Sequence, residues 1–153
     1  MKRRAALINY LDKLKRDFPL EFAHADIDST EIYIDVEHRK ERREIVKILR
    51  EYKKRLAIVI LTILENKRDN DLYAAEPYET TAMKFKNGRL NSRIYCLEFS
   101  ASGENKKIVM VYGVLHKPSM KLSKAEKDKL KSIKDYQYEF FKLPKDAIKH
   151  REQ

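Results

Sequence analysis

Apolar positions change their period several times along the chain, and each change marks an element. Leu7, Ile8, Leu11, Leu14 and Phe18 recur at helical spacing, which predicts an amphipathic helix over Arg4–Arg16 that stops at Pro19. Leu20–Thr30 has little periodicity and several acids, and reads as a connection. Ile32, Tyr33, Ile34 and Val36 make a short alternation, the candidate first strand. From His38 the apolar stripe Ile45, Ile48/Leu49, Tyr52, Leu56, Val59/Ile60 and Ile63/Leu64 advances in steps of three and four. His38–Lys67 therefore reads as one long helix or a helical hairpin. The β-branched run Ile58-Val59-Ile60 keeps a strand open as the other reading of Leu56–Leu64. Arg68–Asn70 is a polar stop, and Tyr73–Tyr78, which contains Pro77, reads as irregular.

The second half changes to a period of two. Ser92–Phe99 and Lys107–His116 are rich in Ile, Val, Tyr, Phe and Leu, and Ser100–Asn105 between them has loop chemistry. These residues predict a hairpin. Thr80–Phe85 adds a strand that turns at Asn87-Gly88, giving a three-stranded antiparallel meander (80–86, 92–99, 107–116) with its first strand at an edge. Ser123-Lys-Ala-Glu126 fits a capping box and opens a helix with a weak stripe of Ala125, Leu130, Ile133 and Tyr136. Its lysine-rich side faces solvent or phosphate. Tyr136, Tyr138, Phe140 and Phe141 form an aromatic patch that packs on the body or, alternatively, stacks on bases. The fold class is then α+β: a small antiparallel sheet with helices on one face, preceded by an N-terminal helical extension. The divisions are 1–30 for the extension, 31–142 for the domain and 143–153 for a frayed tail.

Composition narrows the function. With 153 residues, 42% hydrophobic and 38% charged, the chain supports one domain with a heavily charged surface. No apolar run has the length of a membrane span, so no membrane partner is expected, and the basic start lacks the uninterrupted apolar region of a signal peptide. Cys96 is the only cysteine, which excludes an internal disulfide and fits a reducing cytoplasm; it reads as a core residue rather than a nucleophile. The net charge of +10 is unevenly spread: residues 1–80 carry 17 Lys/Arg against 16 Asp/Glu, whereas residues 81–121 carry 8 against 2. Charge this concentrated favours a polyanion, with a basic protein-binding surface as the other possibility. The three glycines fit no phosphate loop, and the scattered histidines form no metal-ligand cluster, so neither cofactor nor metal is expected.

A symmetric hairpin would set Arg93 opposite Tyr112. Arg93, Tyr112 and His116 would then share a face at its open end, with Lys117 and Lys121 just beyond. A fixed cation, a phenol and an imidazole make a set able to cleave RNA by attack of the neighbouring 2′-hydroxyl without a metal. Arg93, Tyr112, His116 and Lys117 are the candidate catalytic residues. Lys84, Lys86, Arg89, Lys107, Lys121 and Lys124 are the candidate RNA-binding residues. In the plainer alternative His116 and Lys117 simply end a strand, and Arg93 pairs with Glu98 or a helix carboxylate. A shift of one residue in register would separate the cluster.

Arg93-Ile94-Tyr95, Ile108–Leu115 leading into His116-Lys117, Lys121 and Ser123-Lys-Ala-Glu126 resemble the RelE/HigB toxins of bacterial type II toxin–antitoxin systems, in particular the phage-derived HigB-like branch. The likeness spans 31–140 in outline and 91–136 in motif. It implies a RelE-like fold and a cytoplasmic mRNA endonuclease that acts on the translating ribosome and inhibits translation. It also implies neutralisation by a cognate antitoxin, often a helix-turn-helix protein. Arg93 matches the family's strand arginine, Lys117 the second lysine of a pair and Lys121 the downstream basic position. His116 stands where the first lysine is usual, and the strand before Arg93 lacks the aromatic-Glu-Leu-Arg pattern. The alternative is a non-catalytic basic module binding RNA or protein on the same fold.

Overall fold

Period-two patterning over residues 80–117 produces the expected meander, and it becomes the middle of a larger sheet. The computed structural model describes residues 2–7, 16, 19–22, 30–52, 72–75, 80–87, 90–99, 106–117 and 121–142. In chain order the elements are β1 (Arg3–Leu7), α1 (Pro19–Phe22), β2 (Thr30–Asp35), α2 (Arg39–Glu51), β3 (Leu72–Ala75), β4 (Thr80–Asn87), β5 (Leu90–Phe99), β6 (Lys106–Lys117), α3 (Lys124–Ile133) and β7 (Tyr138–Lys142). The sheet has seven strands in the order β3-β4-β5-β6-β2-β1-β7. It is mixed: β2 runs parallel to β6 and β1 parallel to β7, while the remaining pairs are antiparallel.

Three expectations change, and a fourth, that the aromatic patch packs on the body, is met by a strand. Residues 4–7 of the predicted first helix are strand: Ala5 and Ala6 are small, buried residues between β2 and β7, so this segment belongs inside the sheet rather than to an appended extension. Pro19–Phe22, read as a helix stop and the start of a connection, is a short helical turn. Leu72–Ala75, read as irregular, pairs with β4 ahead of Pro77, which moves β4 off the edge. The aromatic patch at 138–142 packs as a strand, with Tyr138 buried. The predicted helical segment 53–67, the turn at Gly88, the loop 100–105 and the tail 143–153 lie outside the described residues.

The helices do not share one face. On one side α2 seats Ile45, Ile48, Leu49 and Tyr52 against Ile32, Ile34, Met83, Phe85, Ile94, Cys96, Ile108 and Met110. This is the i, i+3, i+4, i+7 stripe seen in the sequence. A Cβ at Gly113 would come within 3.1–3.3 Å of Ile48 and Ile45, so the missing side chain lets α2 lie close on β6. On the other side α3 seats Leu130 and Ile133 among Tyr33, Ala82, Tyr95, Leu97, Val109 and Val111. Those two are its only buried apolar residues, worth about 1.5–3 kcal/mol each. A sheet covered on both sides needs neighbouring residues to serve opposite cores, as Ala5/Ala6 and Tyr33/Ile34 do.

Candidate functional site

β6 departs from simple alternation twice. Tyr95 lies opposite Tyr112 but Cys96 opposite Met110, and Arg93 lies opposite Val114 but Asn91 opposite Lys117. Each shift inserts one extra residue into β6, a bulge that resets which face its side chains meet. Ile108 and Met110 thus face α2, whereas Tyr112 and Val114 face α3. Within the second bulge His116 takes a positive φ of 53°, a conformation that costs a non-glycine residue roughly 1–3 kcal/mol. Its backbone N–H donates to Ser92 Oγ at 3.0 Å.

The consequence is a divided site. Lys117 returns to the α3 side, where its Nζ lies 2.6 and 2.7 Å from the two carboxylate oxygens of Glu126. The Tyr95 hydroxyl donates to the same carboxylate at 2.9 Å, and Arg93 Nη1 donates to Tyr95 at 3.4 Å. Arg93, Lys117 and Glu126 are only 3%, 5% and 4% exposed. His116 goes to the α2 side, where Nε2 lies 2.7 Å from Glu51 in a partly exposed pair. The expected convergence of Arg93, Tyr112, His116 and Lys117 is therefore corrected. Arg93, Tyr112 and Lys117 gather under α3, and the bulge sends His116 elsewhere. The plainer reading also changes: His116 and Lys117 do end the strand, but it is they, and Lys117 in a buried setting, that meet helix carboxylates.

Glu126 is held to α3 by its place in the sequence. Ser123 caps the helix, accepting from the Glu126 N–H, and the Glu126 side chain answers the Ser123 N–H, as the capping box predicts. Burial alone would raise the Glu126 carboxyl, but hydrogen bonds from Lys117 and Tyr95 and the Lys117 charge outweigh it and hold the group below the ordinary carboxylate range. Tyr112 stacks on Tyr95 with ring centroids 5.8 Å apart, and Lys129, which also pairs with Glu41 at 3.1 Å, lies 6.0 Å above its ring. Burial, then the nearby charges of Glu126 and Glu41, push the Tyr112 phenol up. Tyr95 rises for the same leading reason, its burial. Both phenols are hydrogen-bond donors at neutral pH and neither is a base. Glu126 itself is held between Lys117 and Tyr95.

The other expected RNA contacts disperse. Lys84 is buried opposite Arg93 on β4. Lys107 lies within 4.0 Å of Glu31 at the start of β6, about 33 Å along the strand from Lys117 by strand rise. Lys121 and Lys124 are exposed beside the start of α3. The Lys86 side chain and Arg89 fall outside the described residues. Tyr95, Glu126, Glu41 and Lys129 were missed. The capping box announced Glu126, but as a cap and not as the acceptor for a strand lysine.

Most exposed cations among the described residues lie on or beside the two longer helices. Lys121, Lys124, Lys127, Lys131 and Lys134 are all exposed, with Asp128 and Asp135 the exposed acids among them. Residues 124, 127, 131 and 134 fall on one side of α3 at steps of about 4.5–6 Å by helical rise. Arg39, Lys40, Arg43, Lys47 and Arg50 are exposed on α2. Among the described residues no group of three His, Cys, Asp or Glu side chains could hold a metal, and no helix is long and apolar enough to cross a membrane. No family model matches the chain, and no curated protein and no solved structure matches it either.

Proposed function

We propose that this chain is an RNA-binding module that holds the ribose–phosphate backbone electrostatically and performs no chemistry with α3 seated. The observation that carries this reading is the row of exposed lysines on α3, beside a sheet face where Arg93 and Lys117 are buried and Lys117 is ion-paired with Glu126. Cations placed at a few ångströms' spacing neutralise successive phosphates and release their counterions, which gives affinity without sequence readout. Replacing Lys124, Lys127 and Lys131 with Gln removes three such contacts without touching the core. The slope of log affinity against log salt for single-stranded RNA should fall by about 2. An unchanged slope in the folded triple variant counts against the assignment.

A second reading has its own support. The order strand, helix, antiparallel strands, capped helix extends from β2 to α3, as the likeness to RelE/HigB toxins implies, and Arg93, Tyr95, Tyr112 and Lys117 lie on one face of the sheet. On that reading the chain is the toxin of a toxin–antitoxin pair, cutting mRNA on the ribosome until an antitoxin binds it. Primer extension on ribosome-bound mRNA separates the two: cleavage by the wild-type chain establishes the toxin, and salt-sensitive binding without cleavage establishes the module.

A further inference from the structure

We infer that Lys117, Tyr95 and Arg93 form a phosphate subsite for single-stranded RNA, and that Glu126 of α3 occupies it as an internal ligand. This rests on the RNA-binding reading and adds the site's regulation. All three residues stand on the sheet, whereas the anion that Lys117 and Tyr95 hold arrives on the helix. Lys117 meets both carboxylate oxygens, at 2.6 and 2.7 Å, and Tyr95 donates to one of them at 2.9 Å with Arg93 behind it. One ammonium and one phenol on an oxyanion, with a guanidinium bonded to the phenol, would serve a phosphodiester by the same charge-assisted bonds. The acid on the middle of this sheet region, Glu98, is engaged elsewhere, by Thr81 and by Lys106 at 2.6 Å.

Geometry also says how the subsite opens. α3 begins beside it, since Ser123 and Glu126 form the first turn, and the helix's two buried apolar residues, Leu130 and Ile133, lie toward its far end. Lifting the first turn removes Glu126 and leaves those anchors seated. The strip uncovered between β4 and β6 spans two strand spacings, about 10 Å, too narrow for a duplex but wide enough for one strand. Lys121 and Lys124 stand exposed at its mouth. A phosphate that enters takes over the bonds of Glu126, so RNA binding and helix docking compete for one set of donors.

Fluorescein-labelled U12 RNA titrated into wild type and Glu126→Gln tests this. The variant leaves Lys117 without its carboxylate, so we expect about tenfold tighter binding, and a salt slope steeper by about 0.7 for one added phosphate. Lys117→Met in the Glu126→Gln background should return both to wild type. Folded Glu126→Gln that binds no tighter than wild type overturns the internal ligand. Should that variant fail to fold, Ser123→Ala, which loosens the same turn without altering the donors, and hydrogen exchange on the wild type decide the matter. α3 amides should open well before global unfolding and slow when RNA is added; exchange only through global unfolding, or exchange indifferent to RNA, overturns the inference. If wild type binds RNA through the outer lysines and Glu126→Gln gains nothing, the RNA-binding module stands and the internal ligand falls. If neither protein retains RNA at physiological salt, both fall.

Discussion

Under α2 the sheet meets a helix with Ile45, Ile48, Leu49 and Tyr52, closed by a glycine that permits near contact. Under α3 the same strands meet a helix with two buried apolar residues and a carboxylate set among Lys117, Tyr95 and Arg93. The first arrangement is non-directional and improves with area. The second depends on a few bonds among charged groups whose desolvation is offset only while all partners are present. Both sides of the sheet bury apolar residues, but among the described residues only the α3 side also buries a set of ionisable groups that depend on one another.

The largest break of this contrast is Lys117→Met, which leaves the Glu126 carboxylate buried and unpaired. Urea denaturation should show a loss of about 3–5 kcal/mol, most of it recovered when Glu126→Gln is added; a loss that simply sums in the double variant would mean that the pair is not coupled. On the opposite face Ile48→Ala should cost about 2–5 kcal/mol through its cavity, with retention of RNA by the remaining folded protein unchanged. A change in affinity there would show that the two faces are not separable. The smallest effect is acid loosening of α3. The folded Glu126 carboxyl lies below its unfolded value, so its contribution is complete above the unfolded pKa of about 4.3 and is lost as pH falls through the folded one. Exchange of α3 amides should therefore quicken before that of α2 amides between pH 5 and pH 3 (about that range by the same titration). Equal acceleration on both helices would contradict it.

How much of this could be read beforehand follows from which residues speak locally. The stripe from Ile45 to Tyr52, the meander and the Ser123 cap are local patterns, and all three formed where the spacing put them. The start of the chain did not, because Leu7 and Ile8 fit a helix by spacing while Ala5 and Ala6 are small enough to sit between two strands, and only the partners β2 and β7 decide between the two. The expected geometry of the candidate site changed at two points of β6. Nothing in Val111-Tyr112 or Leu115-His116 announces a bulge, and two bulges exchanged the neighbours that simple alternation predicts. His116 and Lys117 are consecutive residues that ended on opposite sides of a sheet. Glu126 was visible as a cap, yet its second bond depends on where β6 ends.

The pairing of β1 with β7 sets a limit on the timing of assembly. Arg3 is in register with Tyr138 and Leu7 with Lys142, so β1 acquires its second neighbour only once a strand far along the chain has been made. Until then β1 has β2 alone, over three residues from Ala5 to Leu7, and the buried Arg3–Asp35 bridge lacks the Tyr138 hydroxyl that completes it. Closing a loop of that length is entropically slow. Until β7 pairs, the open side of β1 is a template for mispairing.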